Sequence, residues 1–319
     1  MNRLIALLAA VLIVGTPLAQ GEGSRDETKL TLRDQVLKQI NRDRVARGLA
    51  PVQLDATVSA LADAYCAAQI RNRTTGHFTT DGKPPYMRLS EGGVDDGVSE
   101  NAAAWSGSYS FSDRAVYDMA RRSHDAMMAE RAPHDGHKRT ILDPHATHVG
   151  IGLAWERGEL RLAQEFVRRY INWSRPLARE ASLQEIASAS GKPRAGYRVE
   201  AISVHYEPAP EAMPAHVANA MDNYRLPDDR RDYLPRLRSY INPRADGTFE
   251  FVKEEYDNGQ SGDFRVAADG TFTFDVPFRE GAGLYTVVVW VRAKDSRGEA
   301  IAASNVSIRV RGTSLAGTQ

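Results

Sequence analysis

The chain has almost no cysteine: Cys66 is the only one in 319 residues. No intrachain disulfide can form, which excludes the small disulfide-stapled scaffolds and the cysteine-rich zinc folds. Cys66 lies in ALADAYCAAQI, an apolar helical context, and reads as inert core rather than as a nucleophile. Neither sign of charge is in excess. Lys plus Arg and Asp plus Glu each number 41, giving a formal net charge of zero. That balance excludes the basic stripe of a nucleic-acid-binding protein, and no polybasic membrane patch stands out. After the first 14 residues no apolar run is long enough to span a bilayer. The HExxH pattern of zinc proteases is missing, as is the GxSxG turn that presents a hydrolase serine.

What is present begins with MNRLIALLAAVLIVGTPLAQG. Arg3, the apolar stretch Leu4 to Val14 and the small residues around Ala19-Gln20-Gly21 read as a secretory signal peptide over 1–21. Residues 22–29 are polar and are expected to be a disordered lead. Val36, Leu37, Ile40 and Arg44 then follow helical spacing up to Gly48. Asp55 is placed to cap a second helix whose apolar face carries Val58, Leu61, Ala62 and Tyr65. Residues 74–98 read as a Gly/Thr/Pro-rich loop, and Ser112 as the cap of a third helix. VGIGLAW and LRLAQEFV flank ERGE, a hairpin signal. Helices followed by a hairpin indicate an α-β layered domain up to about residue 172. Residues 173–195 change composition and read as a linker. Residues 196–312 are mostly strand-like and suit a β-sandwich of immunoglobulin-like architecture, with 313–319 as a disordered tail.

Half of the eight histidines fall in HDGHKRTILDPHATHVGIGL: His134, His137, His145 and His148. Each pair is spaced i, i+3 and would share a helix face, but Gly136 and Pro144 argue for turns. His145 and His148 precede a strand and read as ordinary loop residues. Tyr86, Met87, Trp105, Met127 and Met128 read as core, and Trp290 as a buried strand residue. Asn305-Val306-Ser307 matches a glycosylation sequon, a match the apparently bacterial export signal makes uninformative.

Seven short pieces, in order over about residues 30–170, carry a resemblance. They are Ile40-Asn41 with Arg44, Gly48 to Val52, His77 with Asp81-Gly82, Ser99-Glu100-Asn101, Gly136 to Leu142, Val149 to Gly152, and Gln164-Glu165-Phe166. Together they resemble the CAP superfamily (SCP/pathogenesis-related-like domains) in its bacterial form. The resemblance implies an α+β chain. An α-β-α sandwich with a central antiparallel sheet would occupy 30–172, followed by the smaller all-β domain. It also implies that His77, Glu100 and His137 converge in an open cleft, where they could hold Zn²⁺ or another divalent ion, with His134 flanking. Sharing one ion requires positions 77 and 137 to lie within roughly 12 Å of each other. Many family members carry a second glutamate in a Trp-x-x-Glu arrangement; here Ser123 falls near that position. His124, Asp125 and Glu130 are left as substitutes.

The expected function is that of an exported binding or interaction module, secreted or periplasmic. Its cleft would recognise a small apolar ligand, a cell-envelope component or a protein. The alternatives are a metal-assisted, protease-like hydrolase with Glu100 as base beside His77 and His137, and a structural secreted scaffold. No nucleic-acid partner and no transmembrane segment after signal removal are expected.

Overall fold

The computed structural model describes residues 20–108 and 110–312, with side chains from Glu27 onward. Residues 1–19 of the expected signal peptide and the expected tail at 313–319 lie outside the described residues. Among the described residues no helix is long and apolar enough to cross a membrane.

The first helix, α1 (Gln20–Val45), starts earlier than its apolar pattern. The polar stretch 22–29, expected to be disordered, is helical. Lys29 and Arg33 give the reason: both reach Asp63, at 2.9 and 2.5 Å. Leu32, Val36 and Ile40, one turn apart, are buried. The Asn-x-x-Arg piece at the end of α1 is structural. Asn41 exchanges two hydrogen bonds with the Val52 backbone. Arg44, wholly buried, donates to the carbonyls of Ala50, Ile141, Asp143 and Ala146. One guanidinium thereby satisfies carbonyls from two separate loops that have no ladder partner.

β1 (Gln53–Leu54) leads into α2 (Ala56–Asn72), where Asp55 accepts from the Val58 amide as its cap. The expected loop 74–98 contains a helix, α3 (Pro85–Glu91), with proline at its first position, where no amide is needed. Next come β2 (Gly97–Ser106), α4 (Asp113–Ala129) capped by Ser112, α5 (Gly136–Ile141), β3 (His148–Glu156) and β4 (Glu159–Arg168). The sheet order is β1-β3-β4-β2, antiparallel except for the β1–β3 pair. The β3–β4 turn places Arg157 and Gly158 at φ 48° and 79°, as a two-residue primed turn requires.

Alternation along the strands sorts the two helical layers. Val149, Ile151, Leu153 and Trp155 pack with α1 and α4. Gly150 and Gly152 face α2 instead, where a Cβ on Gly152 would sit 2.4 Å from the Ala62 carbonyl carbon and one on Gly150 2.5 Å from Val58 Cγ1. The Val-Gly-Ile-Gly piece is therefore a packing device: large residues toward one layer, bare backbone toward the other. The expected α-β-α order holds.

The expected linker 173–195 is folded into the second region. That region contains β5 (Ile171–Arg175), β6 (Glu180–Ser182), β7 (Ile186–Pro193), β8 (Tyr197–Glu207), a short α6 (Ala215–Ala218), β9 (Arg230–Tyr233), β10 (Ser239–Pro243), β11 (Phe249–Lys253), β12 (Arg265–Val266), β13 (Phe272–Pro277), β14 (Gly283–Ala293), β15 (Ile301–Ala302) and β16 (Val306–Arg311). One sheet runs β12-β13-β7-β5. The other runs β6-β16-β14-β8-β9, with β15 on β14, and β10–β11 form a separate hairpin. A single hydrophobic cluster draws residues from both larger sheets. The region is β-rich as expected; these strand orders do not establish the immunoglobulin-like topology. Simple alternation breaks along β8. Val199 pairs with Val291 but Ala201 with Trp290, and this bulge puts Val199, Ile202 and Val204 in one core. Trp290 is only half-buried and donates to Ser203. Asn305, the residue of the sequon, accepts from the Val98 amide of β2.

The close approach of β3 to α2 gives a direct test. Gly152→Ala is expected to destabilise the folded chain by about 3 kcal/mol, the scale of overpacking against backbone that cannot yield, read as a lowered urea midpoint. Gly93→Ala at an open turn, although φ is 89° there, has nothing within 4 Å of an added Cβ and is expected to cost less, about 1 kcal/mol.

Candidate functional site

β2 is the free edge of its sheet, and its successive side chains point to opposite faces. Two neighbouring residues use that alternation. Glu100 points to the α2 side and binds His77 from the α2–α3 loop, Nδ1 to Oε1 at 2.8 Å. Asn101 points to the α4 side, where its amide donates to the His137 backbone carbonyl at 3.1 Å and to Gln164 Oε1 at 3.3 Å. The two histidines thus meet across the sheet edge, with ring centroids 6.3 Å apart. His77, Glu100 and His137 line one cavity.

Each imidazole has its own carboxylate. His137 Nδ1 lies 2.5 Å from Glu130 Oε1, while Glu130 Oε2 accepts from the backbone amides of His137 and Lys138 at 3.0 and 3.3 Å. Glu130 ends α4 and holds the first turn of α5. Of the three candidates for the second carboxylate, Glu130 is the one that reaches the cleft. Asp125 accepts from Gln39 and Arg121. His124 is buried against Asp43, and burial first, opposed by that carboxylate, lowers its pKa. Ser123 accepts from the Trp105 indole and donates to the Met119 carbonyl. In a neutral imidazole a carboxylate on Nδ1 selects the tautomer with the proton on Nδ1, which leaves Nε2 as an acceptor.

Glu100 is the most constrained group. Its side chain has no exposure, and its second oxygen takes the Arg88 guanidinium at 2.5 Å. Arg88 also lies 3.6 Å over the Tyr65 ring and donates to the His77 carbonyl at 2.8 Å. Burial opposes ionisation of Glu100, but the Arg88 charge and the bonds from His77 and Glu165 outweigh it and hold the carboxyl below its usual range. Glu165, directly opposite on β4, behaves in the reverse way. Burial first, then the Glu100 charge, push it well above the usual carboxylate range. The proton of the pair is therefore favoured on Glu165 and the negative charge on Glu100.

The cleft is an open cavity of about 390 Å³ lined by His77, Glu100, Asn101, Glu130, His134, Gly136, His137, Thr140, Asp222, Asn223 and Tyr224. His134 is exposed at its rim. His145 and His148 take no part, His148 bonding instead to Thr147 Oγ1. Among the described residues no group of three or more His, Cys, Asp or Glu side chains is arranged to hold a metal ion. Both Nδ1 atoms are committed to carboxylates, which leaves the two Nε2 atoms as the available imidazole donors. Two are fewer than the three or four protein ligands of a zinc site, so an ion at the expected His77–Glu100–His137 site, with His134 flanking, would need ligands beyond the two imidazoles. Tyr86, Met87 and Met127 are core as expected, while Trp105 and Met128 are half-buried against it. Cys66 is buried, and burial first pushes its thiol well above the usual range.

Sequence reasoning missed Arg88, Glu165 and Tyr224. Glu165 carried a signal, since it lies between two quoted motif residues in a strand that pairs with the Glu100 strand. Arg88 and Tyr224 carried none.

The family model described as the cysteine-rich secretory protein family, CAP, matches residues 37–162. No curated protein matches the chain. Among solved structures, the chain is similar to an extracellular protein containing an SCP domain from Bacillus anthracis, at 18% identity and a TM-score of 0.35; the match covers 49% of this chain and 45% of that one. It is also similar to an outer surface protein from Borrelia burgdorferi, at 18% identity and a TM-score of 0.36, covering 44% of this chain and 93% of that one.

The two glutamates generate opposite pH dependences. Glu165 is raised in the fold, so its contribution to stability is full below about pH 4.3, the unfolded value, and is lost as pH rises through the raised folded value. Glu165→Gln removes that loss, and its urea midpoint is expected to gain on the wild type between pH 4 and pH 8. Glu100 is lowered, so its contribution is present above about pH 4.3 and is lost as pH falls through the folded value. Glu100→Gln leaves Arg88 buried without its charge partner and is expected to cost about 3–5 kcal/mol at pH 7, less in acid. A Glu165→Gln difference that stays flat with pH contradicts the shared-proton assignment.

Proposed function

With residues 37–162 forming a CAP domain, we propose that the protein is an exported binding module whose cleft recognises a ligand rich in hydroxyl or amino groups, such as a glycan of the cell envelope. The observation that carries this reading is the pair of imidazoles, each held by a carboxylate on Nδ1 and each left with an Nε2 acceptor, 6.3 Å apart between centroids at the edge of an open cleft.

Beside the two imidazoles the cleft is lined by Glu130, Asp222, Asn223 and Tyr224, each bearing a side-chain oxygen that can accept. A ligand supplying several donors satisfies such a set, whereas an apolar ligand would strip it of water without return. No Val, Leu, Ile or Met side chain lines the cleft, which supports a hydroxylated ligand over the apolar one expected. The signal-like N-terminus supports action outside the cytoplasm.

The geometry speaks against Glu100 as a general base. A base needs a free lone pair within reach of the proton it removes. Both Glu100 oxygens are occupied, and Arg88 lowers its proton affinity.

Co-sedimentation of the purified full chain with insoluble peptidoglycan, and with cellulose as an uncharged control, tests the reading. The wild type is expected to be retained on peptidoglycan. His137→Ala and His77→Ala are each expected to weaken retention at least about tenfold, the scale of one lost hydrogen bond to a buried polar group, with far-UV spectra unchanged. Retention unaffected by both substitutions, or peptide cleavage abolished by both, overturns it.

A further inference from the structure

The connection between β8 and β9, residues 208–229, does not stay with its own sheets. It crosses to the CAP domain and follows the loop that carries His77. At its start Glu207 accepts from Tyr86 Oη at 2.8 Å. The Met213 amide then donates to the Thr80 carbonyl at 2.8 Å. The strap passes so close that a Cβ on Gly82 would lie 2.3 Å from the Glu211 carbonyl oxygen. Asn219 makes a reciprocal pair with loop backbone: its oxygen accepts from the Thr75 amide at 2.7 Å, and its amide donates to the Arg73 carbonyl at 3.2 Å. The strap ends in the cleft with Asp222, Asn223 and Tyr224.

Tyr224 engages the free edge of β2 where Glu100 sits. Its hydroxyl accepts from the Glu100 amide at 2.6 Å and donates to the Glu100 carbonyl at 3.0 Å, taking the place of a missing neighbouring strand. Its ring meets His77 edge-on with centroids 4.6 Å apart. The outcome is asymmetric: the His77 side chain is 11% exposed, the His137 side chain 36%.

We propose that this strap is a built-in wall of the cleft and that Tyr224 determines how much of the His77 face a ligand can reach. The β-rich region is then part of the binding site rather than a spacer. Ligands enter from the His137 side, and their fit depends on residues that the CAP domain alone does not contain. The proposal rests on the cleft being the binding surface, but its test needs no ligand.

The probe is diethyl pyrocarbonate, which acylates unprotonated imidazole nitrogen, applied to the full chain at pH 7 with each histidine followed by peptide mass mapping. In the wild type His137 is expected to react faster than His77. Tyr224→Ala is expected to raise the His77 rate at least fivefold while changing that of His137 less than twofold. Tyr224→Phe keeps the ring, so His77 stays shielded; the lost hydroxyl is expected to speed hydrogen exchange of the Glu100 amide at least tenfold. His124, with no side-chain exposure, is the internal control, because its reaction reports opening of the domain. Should Tyr224→Ala expose His124, Asn219→Ala replaces it. That change loosens the strap at its far anchor and is expected to raise the His77 rate at least twofold with His124 silent. An unchanged His77 rate in whichever variant leaves His124 silent overturns the proposal. Loss of peptidoglycan retention alone leaves it standing and counts against the binding reading instead.

Discussion

A single buried carboxylate joins three parts of this protein that are far apart in the chain. Glu100 has no side-chain exposure, so its charge persists only where partners replace the water it has lost. Arg88 from α3 and His77 from the preceding loop take its two oxygens. Glu165 from the neighbouring strand yields its own charge, and Tyr224 from the β-rich region closes on the backbone of the same residue. The position of the first histidine and the protonation of the sheet pair follow from keeping that one anion satisfied.

The second histidine depends on a milder version of the same rule. Glu130 stands at the end of α4 and meets the first amides of α5, so it stabilises a helix start and orients His137 with one side chain. It is half-exposed where Glu100 is buried. The cleft therefore has one rigid imidazole, held from within, and one accessible imidazole, held at the surface.

Most of the quoted motif pieces do no chemistry. Asn41 and Arg44 satisfy loop backbone, Gly150 and Gly152 let α2 approach the sheet, and Asn101 and Gln164 link α5 to the edge strand. They hold the scaffold in which His77, Glu100 and His137 can meet. This is why a set of individually weak signals marked the fold so well, and why it said little about activity.

The residues alone determined the two-region organisation, the helix caps at Asp55 and Ser112, the β3–β4 hairpin and, through the ordered pieces, the α-β-α order of the first region. These are local in origin: periodicity, capping and turn chemistry act within a few residues. The limits of that reasoning are equally specific. The 22–29 segment looked disordered because its tethers, Lys29 and Arg33 to Asp63, lie a helix away. Residues 173–195 looked like a linker because short edge strands gain their pairing only from distant partners. Helix α3 was hidden by its prolines and glycines. Glu130 could be named but not placed, since whether it reaches His137 depends on the turn after α4. Tertiary structure alone decided that Arg88 neutralises Glu100, that Glu165 keeps its proton, and that Tyr224 walls the cleft. A buried charge is balanced by whatever the fold brings within a few ångströms, and that distance has no counterpart in chain order.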